Sequence, residues 1–138
     1  MLNSLRRLLE RVSLIRRTPA GGSLNPNLKF ENVQRYLAHL EQTIAEKTQW
    51  AVFEANTSQL WSSVRRDIEV LLYREWTSGA LVGSKPEQAF FVKCDRTTTT
   101  QDDLDNGRLV VMVGVATLRP AEFVLFRIGQ WTRDRKDP

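Results

Sequence analysis

The chain has 138 residues, 41% of them hydrophobic and 26% charged, with a formal net charge of +4. That length supports one domain around a single modest core. The lone Cys94 excludes an intramolecular disulfide, and no apolar run approaches the ~20 residues of a membrane-spanning helix. The charge is unevenly placed. Residues 1–17 carry five Arg and one Glu, which accounts for the whole excess, and the acidic and basic side chains of the remainder cancel. The globular part is therefore electrically balanced, and the sequence gives no reason to expect nucleic acid as its partner.

Residues 1–17 read as a basic amphipathic helix, with Leu2, Leu5, Leu8, Leu9 and Val12 at three- and four-residue spacing and Arg6, Arg7 and Arg11 largely opposite. Such a stretch fits a helix docked on a neighbouring subunit or on its own core, an organelle transit peptide, or a helix lying on a membrane surface. Residues 18–27, TPAGGSLNPN, form a linker rich in Pro and Gly. Residues 28–30 can follow as a short strand if a partner edge is available. Asn32 is placed to cap a helix running to about residue 46, with Val33, Tyr36, Leu37, Leu40 and Ile44 on one face. His39 lies off that face, and the chain holds no second His to share a metal. Residues 50–53 read as a short edge or buried strand.

The clearest helix follows. Asn56 and Gln59 have capping-box spacing, Leu60, Trp61, Val64, Ile68, Leu71, Leu72 and Trp76 repeat as one stripe, and Gly79 ends it. Arg65, Arg66 and Arg74 project elsewhere, mixed with Asp67, Glu69 and Glu75. Three apolar runs then carry the only clear β pattern: residues 89–94, 109–118 and 122–128. The middle run is apolar on both alternating sets, so it belongs at the centre of a sheet covered on both faces. Arg119 and Pro120 break it and start an antiparallel return. Cys94 alternates with Phe90 and Val92, the position of a buried thiol rather than a nucleophile.

The polar loop of residues 95–107, DRTTTTQDDLDNG, is where catalysis or calcium binding would be sought. Asp102, Asp103 and Asp105 lack the ligand order and distal Glu of a calcium loop, and a turn at Asn106-Gly107 explains the same residues. The four threonines have no His or Lys close in sequence to activate them. There is no P-loop, dinucleotide fingerprint, zincin motif or C-x-x-C. The expectation is a non-enzymatic protein with no cofactor and no metal.

Five segments in this order, QWAVFEAN, LWSSVRRDIEVLL, GALVGSKPEQAFFVKCD, TTTTQDDLDNGRLVVMVGVA and RPAEFVLFRIGQ, resemble the C-terminal domain of contractile tail sheath proteins. These are the sheaths of contractile-tailed bacteriophages, R-type pyocins and extracellular contractile injection systems. The resemblance covers residues 33–130. Ala55 stands where the family commonly has Pro, Thr98 where it commonly has Asn, and Thr117 where it often has Pro. The large N-terminal and inserted domains usual in the family have no counterpart in these residues.

The resemblance implies an α+β domain, two main helices on a small mixed sheet, with extended arms at both ends. On that reading residues 1–17 are a basic helix, 18–30 a linker and N-terminal arm, and 31–138 the core with a C-terminal arm from 126. In sheaths the arms add strands to neighbouring sheets, by main-chain hydrogen bonding that alternating side chains keep in register. The N-terminal arm would use Leu24, Leu28 and Phe30, and the C-terminal arm Phe126, Arg127, Ile128, Gly129, Gln130 and Trp131. Gly21, Gly22 and Gly129 would let the arms bend during contraction. Arg65, Arg66 and Arg74 are candidates for contact with an inner tube. The implied function is a sheath subunit forming a helical homo-oligomer around a tail tube protein, with baseplate or terminator proteins as further partners. Its implied place is a phage or phage tail-like particle assembled in the bacterial cytoplasm. Two alternatives stand beside it: a sheath-derived adaptor or cap, and a membrane- or nucleic-acid-surface binder acting through residues 1–17.

Overall fold

A computed structural model of the chain describes residues 14–15, 26–117 and 123–136, and for 14–15 and 26–31 the backbone alone. In chain order these form β1 (Leu14–Ile15), α1 (Pro26–Lys47), a 3-10 turn (Gln49–Phe53), α2 (Ser58–Thr77), α3 (Pro86–Ala89), β2 (Phe90–Lys93), α4 (Gln101–Asn106), β3 (Arg108–Ala116) and β4 (Phe123–Trp131). The strands make one sheet in the order β1-β4-β3-β2, and every pairing is antiparallel. The α+β class with two long helices is as expected, but the sheet is antiparallel where a mixed one was expected. Only six residues join β3 to β4, too few for the crossover that a parallel pair needs.

The core is built on one face of β3. Leu109, Val111, Val113 and Val115 are completely buried. The register sets Ile128, Phe126 and Val124 of β4 opposite Val111, Val113 and Val115, and Val92 and Phe90 of β2 opposite Val113 and Val115. Over this face lie the stripes of the two helices, Leu37, Leu40 and Ile44 from α1 with Leu60, Val64, Ile68 and Leu72 from α2. Each large side chain so buried contributes about 1.5–3 kcal/mol before its lost conformational freedom is set against it.

Coverage of the second face is only partial, against the expectation from the doubly apolar run. Val110 and Met112 of β3, with Phe91, Phe123 and Leu125 beside them, are half-buried. At its centre Gly114 has no side chain because the Phe91 ring occupies the space a Cβ would need. That ring meets Phe123 edge-on, with centroids 5.2 Å apart and planes at 81°, so an aromatic pair from β2 and β4 closes over the glycine of β3.

Four local expectations are corrected. Residues 28–30 lie inside α1 rather than in a strand: the helix begins at Pro26, a residue favoured in the first turn of a helix. Asn32 is consequently interior to α1. Residues 50–53 form a 3-10 turn instead of a strand, held by the Trp50 indole N–H donating to Asp67 Oδ2 at 3.0 Å. The cap of α2 is Thr57, whose side chain accepts from the Leu60 N–H at 3.4 Å. Asn56, one residue earlier, instead joins helix to sheet, accepting from the Trp61 indole at 2.7 Å and donating to the Arg108 carbonyl at 2.9 Å. Residues 14–15, expected within the basic helix, are a strand; the rest of residues 1–17, Gly21 and Gly22 of the expected linker, and the expected break at Arg119 and Pro120 lie outside the described residues.

Candidate assembly interface

The two ends of the chain meet the sheet differently. At the N-terminal side, β1 runs antiparallel along the outer edge of β4, with Leu14 opposite Phe126 and Ile15 opposite Leu125. Among the described residues, those two positions pair. At the C-terminal side, β4 pairs with β3 along its whole length, from Ala116↔Phe123 to Arg108↔Trp131.

The residues expected to form a C-terminal arm are thus the second half of β4. Phe126 and Ile128 are fully buried, and Gln130 is 1% exposed. The Gln130 amide donates to the Ala45 carbonyl at 2.7 Å and to Thr48 Oγ1 at 2.9 Å, which ties the strand to the end of α1. Gly129 lies opposite Val110, and Arg127 is exposed on the partly covered face. Of the expected N-terminal arm, Leu28 and Phe30 are in α1, and Leu24 lies outside the described residues.

After Trp131 the chain folds back on itself. Thr132 donates from both its backbone N–H and its hydroxyl to the Gly107 carbonyl, at 2.8 and 2.7 Å. Arg133 N–H reaches the Glu54 carbonyl at 2.8 Å, and Asp134 Oδ2 accepts from the Asn56 N–H at 3.0 Å. Gly107 is required here twice over. Its φ is +77°, and an added Cβ would overlap the backbone of Asp134 and Arg135.

The polar loop is structural in the residues described. β2 stops opposite Met112, and past that point two threonines replace it as partner to β3. Thr99 Oγ1 accepts from the Val110 N–H at 3.0 Å, and Thr98 Oγ1 donates to the Val110 carbonyl at 2.7 Å. Thr100 and Asp103 form a reciprocal capping box at the start of α4. Asp103 also meets Arg108 Nε at 2.5 Å, while Asp102 meets Arg108 Nη2 at 2.6 Å. The Arg108 guanidinium is held above its usual range because these carboxylates outweigh burial, which acts the other way. Asp95 is lowered, chiefly by the hydrogen bond from the Thr97 hydroxyl. Thr98 and Thr99 thereby continue a strand's pairing and Thr100 with Asp103 starts a helix, a use that no spacing rule for catalytic or calcium loops would reveal. Burial, with a smaller push from Asp95, raises the Cys94 thiol to about 12, which removes the thiolate that a nucleophile would need.

A cleft of about 870 Å³ lies between α2 and the outer strand β2. It brings together all three arginines singled out in the sequence, Arg65, Arg66 and Arg74, with Val70, Tyr73 and Phe91 among its other walls. Arg65 pairs with Glu69 at 3.2 Å, both half exposed, a geometry that contributes little to stability. Val70 and Tyr73 are 52% and 49% exposed, so the outward side of α2 presents apolar surface fringed by cations.

The family model for the phage tail sheath C-terminal domain matches residues 23–130. Among solved structures, a chain in the baseplate of the anti-feeding prophage is 41% identical with a TM-score of 0.59. A chain of the PVC sheath complex, from an extracellular contractile injection system in its contracted state, is also 41% identical with a TM-score of 0.58. Each match covers 66% of this chain and 26% of the other, so this chain corresponds to about a quarter of those neighbours' length. A search of curated proteins gives no match. With the family model spanning most of the sequence and the fold agreeing, the chain belongs to the phage tail sheath C-terminal domain family.

Proposed function

We propose that the protein is a structural subunit of a contractile sheath, working by self-assembly and rigid-body rearrangement rather than by catalysis. The observation that carries this is the sheath-domain match over residues 23–130, supported by 41% identity to a chain of a contractile sheath. The proposed partners are copies of itself, an inner tube protein, and baseplate or terminator proteins at the ends. Its proposed setting is a phage tail-like particle assembled in the bacterial cytoplasm.

Strand exchange between subunits is the proposed attachment. Main-chain pairing at a sheet edge gives adhesion, and alternate side chains give register. Of the two ends, the N-terminal one is the better candidate, because among the described residues it pairs at two positions and it is followed in sequence by a Gly- and Pro-containing stretch. β4 is a poor candidate, since Phe126 and Ile128 fill the core of its own domain. Contraction would draw on the difference in burial between two packings of many subunits, so no nucleotide is required. Arg65, Arg66 and Arg74 are proposed to face an acidic surface of the tube. The baseplate neighbour favours a second reading, an adaptor or cap at one end of a sheath.

Negative-stain microscopy of the purified protein, alone and with the tube protein, is the test. Tubes are expected for a sheath subunit; rings that do not grow mean the adaptor, and no ordered assembly under any condition rejects both. Salt dependence separates the remaining alternative. Binding of vesicles or DNA that falls steeply with salt and is lost with residues 1–17, in a protein that never self-assembles, identifies a surface binder.

A further inference from the structure

We infer that Asn106 is a site of spontaneous deamidation, held silent by the folded α4 and its contacts with residues 132–136, and that its conversion releases those residues. The inference goes beyond the sheath reading and does not depend on it. Asn106-Gly107 is the one Asn-Gly pair in the sequence. A glycine after Asn puts no side chain in the way of its own backbone nitrogen, which is then free to approach the Asn side-chain carbonyl carbon. Asn106 is half-buried, so water reaches it.

The covalent step needs only water and hydroxide. The Gly107 backbone nitrogen gives its proton to hydroxide and attacks Asn106 Cγ, and the new C–N bond closes a five-membered succinimide. The Cγ–Nδ2 bond breaks, and the nitrogen leaves as ammonia with a proton from water, which restores the hydroxide. Water then opens the ring at either carbonyl, leaving an aspartate or an isoaspartate at position 106.

The fold holds this step off in three ways. The Gly107 N–H is committed to the end of α4, donating to the Leu104 carbonyl at 3.1 Å. The Asn106 amide is turned back along the helix, with Nδ2 donating to the Asp102 carbonyl at 2.8 Å and to Asp102 Oδ1 at 3.3 Å. The peptide units on either side of the reacting atoms are pinned from outside. Lys136 N–H reaches the Asn106 carbonyl at 3.3 Å, and Thr132 donates twice to the Gly107 carbonyl. The ring therefore closes only when α4 opens. A six-residue helix is too short to hold itself together, so that opening is a local event that precedes global unfolding.

Either product undoes the arrangement. It removes the Nδ2 donor and sets a carboxylate at the C-terminal end of a helix, where the backbone dipoles disfavour negative charge. Asp102, Asp103 and Asp105 are already on that segment, and the Arg108 guanidinium is engaged by the first two. Isoaspartate also adds a carbon to the main chain just before Gly107. That position has no slack, since even a Cβ there would overlap the backbone of Asp134 and Arg135. The Gly107 carbonyl then leaves its place opposite Thr132, and residues 132–136 come away from the domain.

The test is to incubate the full chain at neutral pH, folded and in urea, and to follow position 106 by peptide mass spectrometry. Conversion is expected in both samples and should be much slower in the folded one. Thr132→Val removes the hydroxyl that bonds the Gly107 carbonyl while keeping the shape of the side chain. It should speed conversion of the folded chain by about 2- to 10-fold, the worth of one lost hydrogen bond as a change in an opening equilibrium, and leave the rate in urea unchanged. As conversion proceeds, trypsin should cut at Arg133 and Arg135 in the modified fraction before the unmodified one. Asn106→Ser, which has no amide to close the ring, should show no such change with time. Absence of conversion at 106 in urea overturns the site. Equal rates in the folded chain and in urea, or a folded rate indifferent to Thr132→Val, overturn the restraint. A converted chain as resistant at Arg133 and Arg135 as a fresh one overturns the release.

Discussion

Removing residues 126–138 is the perturbation that most directly separates an exchangeable C-terminal arm from an integral strand. The truncation takes Phe126 and Ile128 out of the core, both 0% exposed. Emptying such sites costs about 3–5 kcal/mol for a Phe and about 2–5 kcal/mol for an Ile by comparison with large-to-alanine changes. It also strips the strand partners from residues 108–113 of β3, and the Gln130 bonds to Ala45 and Thr48. The loss is at least about 5–10 kcal/mol, set against a total stability of about 5–15 kcal/mol for a domain of this kind. The truncated chain should therefore fail to fold, giving a far-UV circular dichroism spectrum without the native helical signal and no cooperative urea transition. A graded companion is Phe126→Ala. With a urea slope of about 2 kcal/mol/M, its 3–5 kcal/mol should lower the midpoint by about 2 M. A truncated chain that remains a monomer with native circular dichroism and a cooperative transition refutes the reasoning, and returns residues 126–131 to the role of a detachable arm.

Three further outcomes are expected. Gly107→Ala places a side chain at a φ of +77° and against the backbone of Asp134 and Arg135; it should cost about 2–5 kcal/mol and expose Arg133 and Arg135 to trypsin, read as early loss of the C-terminal residues by mass spectrometry. Asp103→Ala removes both the capping partner of Thr100 and the close partner of Arg108. It should cost about 3 kcal/mol by chemical denaturation, the low end for a broken buried pair, because Asp102 keeps hold of the guanidinium. Cys94, pushed up to about 12 by burial, should resist thiol reagents until the protein unfolds. The unfolded thiol ionises first as pH rises, so the thiol's contribution is complete below about pH 9 and is lost between there and about 12. Stability should fall by up to ~1.4 kcal/mol per pH unit over that range, and Cys94→Ala should flatten the decline. An equally steep decline in that variant would assign the effect to other groups.

The amino-acid order alone determined the periodic elements and their core faces. The stripe from Leu60 to Trp76 needs nothing beyond 3.6-residue spacing to declare a helix, and residues 109–118 need only to be apolar on both alternating sets to declare the central strand. The family was legible for the same reason: several short segments, each weak alone, recur in fixed order. Polar residues with two possible uses were settled only by the tertiary structure. Thr98, Thr99 and Asp103 look like loop chemistry until β2 is seen to end at Lys93 and leave Val110 in need of partners, because backbone groups near a core must be satisfied by something. Asn56 and Thr57 are both competent caps, and the choice between them rests on Arg108 and Trp61 being near enough to engage Asn56. The fate of the last strand is a tertiary matter too. Nothing local distinguishes an apolar strand destined for a neighbour from one packed in its own domain; the burial of Phe126 and Ile128 in one core with the apolar stripes of α1 and α2 is visible only in the tertiary structure.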